Sequence, residues 1–143
     1  MSNMGINLAV GTDGPSSNNA LDMFREMYLI SVLQKLKYND AAAMDANEIL
    51  KAATSGSAKC MGLTGCDCIT EGKLADLMII DLERPNMQPI NNITKNLVYS
   101  GSKDDVKMTM INGKILYENG EFVNIDKEEI YAKAQEICNR LKN

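Results

Sequence analysis

The sequence predicts an α/β fold, and three observations support this assignment. A short apolar run near the amino terminus is typical of a buried strand, and segments with helical apolar spacing follow it. Further along, apolar and polar residues alternate on both sides of an Asn-Gly pair, which is the pattern of a β-hairpin. A last segment with an apolar stripe at helical spacing closes the chain.

The first predicted element is a fully buried strand over residues 5–10, of the kind found in parallel sheets, ending at Gly11. Such a strand needs neighbours, because unpaired backbone groups at a buried edge cost as much free energy as lost hydrogen bonds. Its partners are therefore either the later strands of this chain or strands of another chain.

Helices follow this strand. Asn19 is placed to cap an amphipathic helix over residues 21–37, whose apolar side chains recur close to every 3.6 residues. The pair Asp45 and Glu48 has the spacing of a capping box, which predicts a second helix over residues 46–54. Two glycines bracket a third, short helix over residues 57–61, and Gly62 is suited to end it.

The second half of the chain predicts antiparallel strands and a terminal helix. Strands are expected over residues 77–82 and 106–111, with Asn112-Gly113 turning the latter into a hairpin and Asn119-Gly120 making another tight turn. Residues 85–102 are expected to be irregular, because two prolines exclude a central strand. Asp126 and Glu129 then form a capping box. The apolar stripe of the terminal helix, which we expect to pack on another surface, consists of Ile130, Ala134, Ile137 and Leu141.

Composition excludes several classes of protein. The 143 residues give room for one ordinary domain, and 45% of them are hydrophobic and 24% charged, as in folded soluble proteins. A net charge of -4 argues against a nucleic-acid partner, because binding phosphates requires a basic face. The sequence has neither a long apolar run nor the layout of a signal peptide, so we expect no membrane association and a cytoplasmic location. The four cysteines are expected to be reduced thiols.

Two stretches resemble the metal-dependent amidohydrolase superfamily. Residues 11–19, with Gly-Thr-Asp-Gly followed by Ser-Asn-Asn, resemble the end of the eighth strand of its (β/α)₈ barrel. Residues 71–81 resemble the segment that returns such chains to a small β-sandwich. The chain is most similar to the branch that contains S-adenosylhomocysteine and methylthioadenosine deaminases together with the atrazine chlorohydrolases.

The resemblance implies an incomplete barrel and a division of the chain into two parts. Residues 1–68 would be the carboxyl-terminal end of the barrel, with its last strand and the following helices. Residues 69–143 would be the carboxyl-terminal portion of the β-sandwich with a closing helix.

The resemblance also implies roles for residues of the first part. Asp13 would contact a single divalent metal, zinc or iron, and take a proton from the metal-bound water, so it is the candidate for both the catalytic and the metal-ligating residue. Ser16 and Asn18 would lie on the substrate side, and Gly11 and Gly14 would let the backbone turn sharply. The reaction of the complete enzyme would be hydrolytic deamination of a thioether nucleoside, with dehalogenation of a triazine ring as the alternative.

The sequence departs from the family in one respect that decides what the chain does alone. The family site uses a His-x-His pair, further histidines and a glutamate, whereas this chain contains no histidine. One carboxylate cannot hold a catalytic zinc ion, which takes three protein ligands. We therefore expect no cofactor and no hydrolase activity in this chain by itself.

Three roles remain open for such a chain. It is a carboxyl-terminal portion of an amidohydrolase that is inactive alone, or a non-catalytic complementing subunit, or a module that forms swapped homo-oligomers. The first two require the missing amino-terminal portion of the barrel as a partner, and the third requires a second copy of the same chain. A small nucleoside would be the substrate of the complete enzyme.

Overall fold

The computed structural model describes residues 4–142 and contains helices and one antiparallel sheet, with α-helices before, within and after the order of its strands. None of the helices within these residues is long and apolar enough to cross a membrane. The elements are α1 (Met23–Tyr38), α2 (Ala46–Lys51), α3 (Ser57–Cys60), β1 (Leu77–Ile80), α4 (Ile93–Tyr99), β2 (Val106–Ile111), β3 (Lys114–Glu118), β4 (Glu121–Phe122) and α5 (Lys127–Leu141).

The helix predicted over residues 21–37 is present as α1, but its cap differs from the prediction, and Leu33 and Leu36 of its predicted apolar face are 57% and 79% exposed. The Asp22 carboxylate accepts hydrogen bonds from two amide groups of the first turn, at 3.0 and 3.3 Å. The prediction that Asn19 is the cap is therefore wrong. A carboxylate at this position satisfies free amide groups and also places negative charge at the positive end of the helix dipole.

Helices α2 and α3 form one continuous helical run. The Asp45 carboxylate caps α2 as predicted, accepting from two amide groups at 2.7 and 3.1 Å. A π-helical turn over Ala52–Gly56 connects α2 to α3, so Gly56 does not separate the two helices as predicted. Gly62 has a φ of +73° and ends α3 in the expected way.

The buried strand predicted over residues 5–10 is not formed within the described chain. The four strands pair only with one another, and this segment is extended without a neighbouring strand. It is held instead by the helical run, because Asn7 Nδ2 donates to the Gly56 carbonyl at 2.9 Å and the Val10 N–H donates to Ser57 Oγ at 3.1 Å. With no strand to cover it, Ile6 is 50% exposed.

Helix α4 lies in the stretch that was predicted to be irregular, so that prediction is wrong. Asn92 caps the helix, and its side-chain oxygen accepts from the Lys95 N–H at 2.9 Å. Both prolines of the stretch precede α4, and Pro85 opens a short 3₁₀ turn that buries Met87 completely. The prolines therefore exclude a strand without excluding a helix beyond them.

The hydrophobic core lies where α1, α2 and α4 meet. Ile49 and Val98 are 0% and 1% exposed, and they pack with Phe24, Met27 and Ala46. Burying an aliphatic or aromatic side chain fully contributes about 1.5–3 kcal/mol. Helix α4 therefore packs against both α1 and α2 and helps to fix their relative position.

A polar cluster also joins α1 to α4. Lys35 Nζ donates to the Tyr99 hydroxyl at 2.7 Å, and the fully buried Ser31 hydroxyl lies 3.4 Å from the same oxygen. The hydrogen bond from the Lys35 ammonium, with that from Ser31, lowers the pKa of the Tyr99 phenol. This cluster was not predicted from the sequence, because Tyr99 is more than 60 residues from both Ser31 and Lys35.

The sheet follows the predicted hairpin pattern. Its strands are antiparallel in the order β1-β2-β3-β4. Asn112 and Gly113 turn β2 into β3 with φ values of 48° and 75°, and Asn119-Gly120 turns β3 into β4 with 49° and 93°. Positive φ at both central residues is the type I′ geometry that suits a right-twisted hairpin.

The predicted boundary after residue 68 stays a prediction. Helices α1 to α3 precede it and the sheet follows it, yet α4 joins the helices and Ile80 and Val106 of the sheet pack against the same core.

Helix α5 is confirmed, and its cap is Asp126, whose carboxylate accepts from the Glu129 N–H at 3.0 Å. None of its residues is buried, and Ile130 and Leu141 are 53% and 82% exposed. Within residues 4–142 the apolar stripe therefore finds no surface to pack on.

A Gly56→Ala substitution is expected to destabilise the fold, because a Cβ built on Gly56 would collide with the Leu8 carbonyl oxygen. Overpacking of this kind costs about 1–3 kcal/mol. Urea unfolding followed by circular dichroism measures the loss. Gly11→Ala is the matched control, since a Cβ there meets nothing within 4 Å. Equal stability of the two variants would contradict the close approach.

Candidate functional site

The candidate site is the loop of residues 11–19, here called the Asp13 loop, which directly follows the anchored extended segment. Its second half is a tight turn in which the Gly14 carbonyl accepts from the Ser17 and Asn18 amides at 3.0 and 2.9 Å. The loop is therefore fixed at one end by the helical run and at the other end by α1.

Asp13 lies at the tip of the loop with a φ of +58° and an exposed side chain. This is the left-handed region, which short polar residues such as Asp tolerate better than other non-glycine residues. The Gly14 N–H donates to Asp13 Oδ1 at 2.7 Å. Within the described residues Oδ2 accepts no hydrogen bond, so one carboxylate oxygen is available to an external group.

The two glycines of the loop do not have the conformation that the sequence suggested. Neither Gly11 nor Gly14 has a positive φ, whereas Asp13 does, and the hydrogen-bonded turn of the loop begins at the Gly14 carbonyl. A Cβ on Gly14 would meet only Ser16 Oγ, at 3.9 Å. The left-handed conformation of the loop therefore falls on Asp13 and not on either glycine, and the role of the glycines in the turn stays a prediction.

The side chains of Ser16 and Asn18 differ in their surroundings. Ser16 is exposed, so its hydroxyl is open to a ligand. Asn18 is half-buried, and its Nδ2 donates to the Thr12 carbonyl at 3.0 Å and to Glu26 Oε1 at 2.6 Å. The sequence did not indicate a role for Glu26, because eight positions separate it from Asn18 and only the turn brings the two together.

Two grooves flank the extended segment that leads to the loop. One, of about 510 Å³, lies between Leu8 and Val10 on one side and α1 and α2 on the other. The other, of about 660 Å³, lies between Ile6, Leu8 and the run from α2 to α3. A groove therefore lies on each side of the segment, and no strand of the described chain fills either one.

Residues 1–116 match the Amidohydrolase family. This chain belongs to the amidohydrolase family. Two similar relatives are the 5-methylthioadenosine/S-adenosylhomocysteine deaminases of Pyrococcus furiosus and Clostridium tetani. The first is 45% identical over 130 residues and the second is 39% identical over 144 residues. The matches cover 91% and 100% of this chain but only 31% and 34% of the relatives, so this chain spans about a third of their length.

Solved amidohydrolase structures have the same fold over almost the whole chain. An adenosine deaminase from Xanthomonas campestris with bound zinc superimposes with a TM-score of 0.95 at 36% identity, covering 99% of this chain and 32% of that one. An atrazine chlorohydrolase from Arthrobacter aurescens, complexed with zinc, gives a TM-score of 0.81 at 26% identity, with 94% and 30% covered. The chain therefore corresponds to part of a barrel-type amidohydrolase fold.

The residues of this amidohydrolase chain do not by themselves fit a metal ion. No group of three or more His, Cys, Asp and Glu side chains able to hold one occurs among residues 4–142. Asp13 offers a single carboxylate, whereas a catalytic zinc ion takes three protein ligands. The Cys66 thiol is no substitute, because burial and the nearby Asp76 carboxylate raise its pKa and disfavour the thiolate that a metal requires.

The isolated chain is expected to retain only substoichiometric zinc after dialysis, because one carboxylate supplies too few ligands. Elemental analysis by mass spectrometry measures the content, with the zinc-bound Xanthomonas campestris protein as the positive control. One zinc ion per chain that is lost in an Asp13→Asn variant would contradict this.

Proposed function

We propose that this chain supplies the Asp13 loop of an amidohydrolase whose complete form deaminates 5-methylthioadenosine or S-adenosylhomocysteine by hydrolysis. The observation that carries the proposal is the exposed carboxylate at the tip of an anchored loop, in a fold that superimposes on a zinc-bound adenosine deaminase with a TM-score of 0.95. Relatives at 39% and 45% identity bear the name of that activity.

Asp13 suits proton transfer in this reaction. Water adds to the ring carbon that bears the amino group, the carbon–nitrogen bond breaks, and ammonia leaves, so the water must lose a proton. The Gly14 N–H holds Oδ1, which leaves Oδ2 to accept that proton. A divalent metal would supply Lewis acidity, with Asp13 as one ligand and the others from outside this histidine-free chain.

Ser16 is proposed as a substrate-side group of the same loop. Its exposed side chain lies three residues beyond Asp13, and a hydroxyl can both donate to and accept from a nucleoside. Asn18 was predicted for the same side, but its amide is engaged within the loop.

Dechlorination of a triazine is the less favoured reaction for the complete enzyme. The atrazine chlorohydrolase shares 26% identity with this chain, against 45% for the deaminase of Pyrococcus furiosus. Both reactions replace a ring substituent with the oxygen of water, so the Asp13 loop serves either chemistry.

The proposed partner is a polypeptide that carries the rest of the amidohydrolase fold. The segment over residues 5–10 has no strand neighbour within the described chain, and a groove lies along each of its edges. Adding a strand to an open edge satisfies the backbone groups and buries apolar side chains such as Ile6, which is 50% exposed. Two strands, one in each groove, would complete the surroundings of this segment.

Mixing this chain with the two thirds of the Pyrococcus furiosus relative that lie outside the matched region is expected to give a one-to-one complex. Size-exclusion chromatography with light scattering measures its mass. Leu8→Asp should weaken the complex, because Leu8 lines both grooves, whereas Leu36→Asp should not, since Leu36 is 79% exposed on α1. A dimer of this chain that does not exchange with the partner would favour the swapped module instead.

In that complex, Asp13→Asn is expected to lower kcat for 5-methylthioadenosine deamination by at least about 100-fold, because the proton acceptor is lost. Ammonia release measures the rate. Asp104→Asn, at an exposed acid in the turn before β2, is the matched control. Equal rates in the two variants would remove Asp13 from the mechanism.

A further inference from the structure

We propose that Asn18 is a positioning residue, held by Glu26, that fixes the peptide bond in front of Asp13 and so aims the carboxylate. This inference rests on the proposed role of Asp13. It assigns to Asn18 a contact inside the loop instead of a contact with substrate.

The side chain of Asn18 forms nearly all the hydrogen bonds of which it is capable. An amide group has two N–H donors and one oxygen acceptor with two lone pairs. Nδ2 is 3.0 Å from the Thr12 carbonyl oxygen and 2.6 Å from Glu26 Oε1, and Oδ1 accepts from the Ala20 N–H at 3.2 Å. Both donors are therefore used within the protein.

The Thr12 carbonyl is the group through which Asn18 acts on Asp13. It belongs to the peptide unit that joins Thr12 to Asp13, so rotating this unit changes the φ of Asp13. The observed φ of +58° is in the left-handed region, which costs about 1–2 kcal/mol for residues with a Cβ. Without the bond from Asn18, this peptide could rotate, relax the strain and redirect the carboxylate.

Glu26 connects this arrangement to the rigid part of the molecule. It lies in the first turn of α1 between Phe24 and Met27, which are 7% and 4% exposed in the core. A hydrogen bond to a carboxylate is shorter and stronger than one between neutral groups, in agreement with the 2.6 Å distance. The position of the Thr12 peptide is thereby tied to the core through two side chains.

The amide signal of Gly14 in the isolated, labelled chain tests the inference without any activity. The Gly14 N–H donates to Asp13 Oδ1 at 2.7 Å, so its NMR shift and hydrogen exchange report the carboxylate position. Asn18→Ala should shift this signal and accelerate its exchange, whereas Asn19→Ala, at the exposed neighbouring amide, should not. An unchanged Gly14 signal in Asn18→Ala overturns the inference.

Three further variants separate the two hydrogen bonds that the Asn18 side-chain amide donates. Glu26→Gln keeps an oxygen acceptor and should retain the Gly14 signal, whereas Asn18→Asp removes both donors and places a second carboxylate beside Glu26. The double variant Asn18→Asp with Glu26→Gln restores a bond to α1 but not the bond to the Thr12 carbonyl. It should therefore keep the altered Gly14 signal. A wild-type signal in the double variant would show that only the tie to α1 matters and overturn the role assigned to the Thr12 bond.

In the complex with the partner, Asn18→Ala should reduce kcat by about 10- to 100-fold, as loss of an orienting contact does, while KM changes little. A rise in KM with kcat unchanged would instead identify Asn18 as a substrate contact and overturn the inference. If the complex has no deaminase activity with the wild-type chain, the proposed function fails, and the Gly14 signal still decides the role of Asn18.

Discussion

The position of the Asp13 loop depends on how one extended segment is held without a neighbouring strand. A single hydroxyl at the start of α3, that of Ser57, accepts from the Val10 N–H at 3.1 Å and lies 3.0 Å from the Val10 carbonyl oxygen. The Ser57 hydroxyl is thus within hydrogen-bond distance of both backbone groups of Val10, which in a sheet would bond to a neighbouring strand. The π-helical turn before Ser57 brings Gly56 against Leu8, where there is no room for a Cβ. The segment can lie this close to the helical run because Gly56 has no side chain and Ser57 has a short one that forms hydrogen bonds.

The same helical run is also stabilised by the hydrophobic core, to which α2 contributes. Ile49 of α2 is completely buried against Val98 of α4, and α1 contributes Phe24 and Met27 to the same cluster. The direction of the Asp13 loop therefore follows from two packed surfaces, one under the segment before it and one under the helix after it. A barrel strand normally receives this support from its neighbours in the sheet.

Sequence patterns predicted the elements whose signals are local. Asp45 and Asp126 cap the helices that their positions indicate, and Asn112-Gly113 makes the expected turn. These predictions succeed because a cap or a turn is determined by residues within four positions of one another. Helix α4 was not predicted because the prolines exclude a central strand only near their own positions, whereas Asn92 begins a regular helix beyond them.

The candidate site was only partly accessible to the same reasoning. Asp13 was predicted through the resemblance of its loop to a family motif, and in the structure it lies exposed at the tip of that loop. The engagement of Asn18 by Glu26 could not be predicted, since it depends on how the turn folds back onto α1. The strand predicted over residues 5–10 is not formed within the described chain for a similar reason, because apolar residues indicate a buried environment without specifying the residues that surround it.

The left-handed backbone of Asp13 has a consequence for assembly. Its geometry is set by contacts within this chain, through Gly14, Thr12 and Asn18, so the conformational entropy of ordering the loop is lost when the chain folds. A partner that docks later would meet a carboxylate already oriented, and the free energy of association would not be reduced by immobilising it.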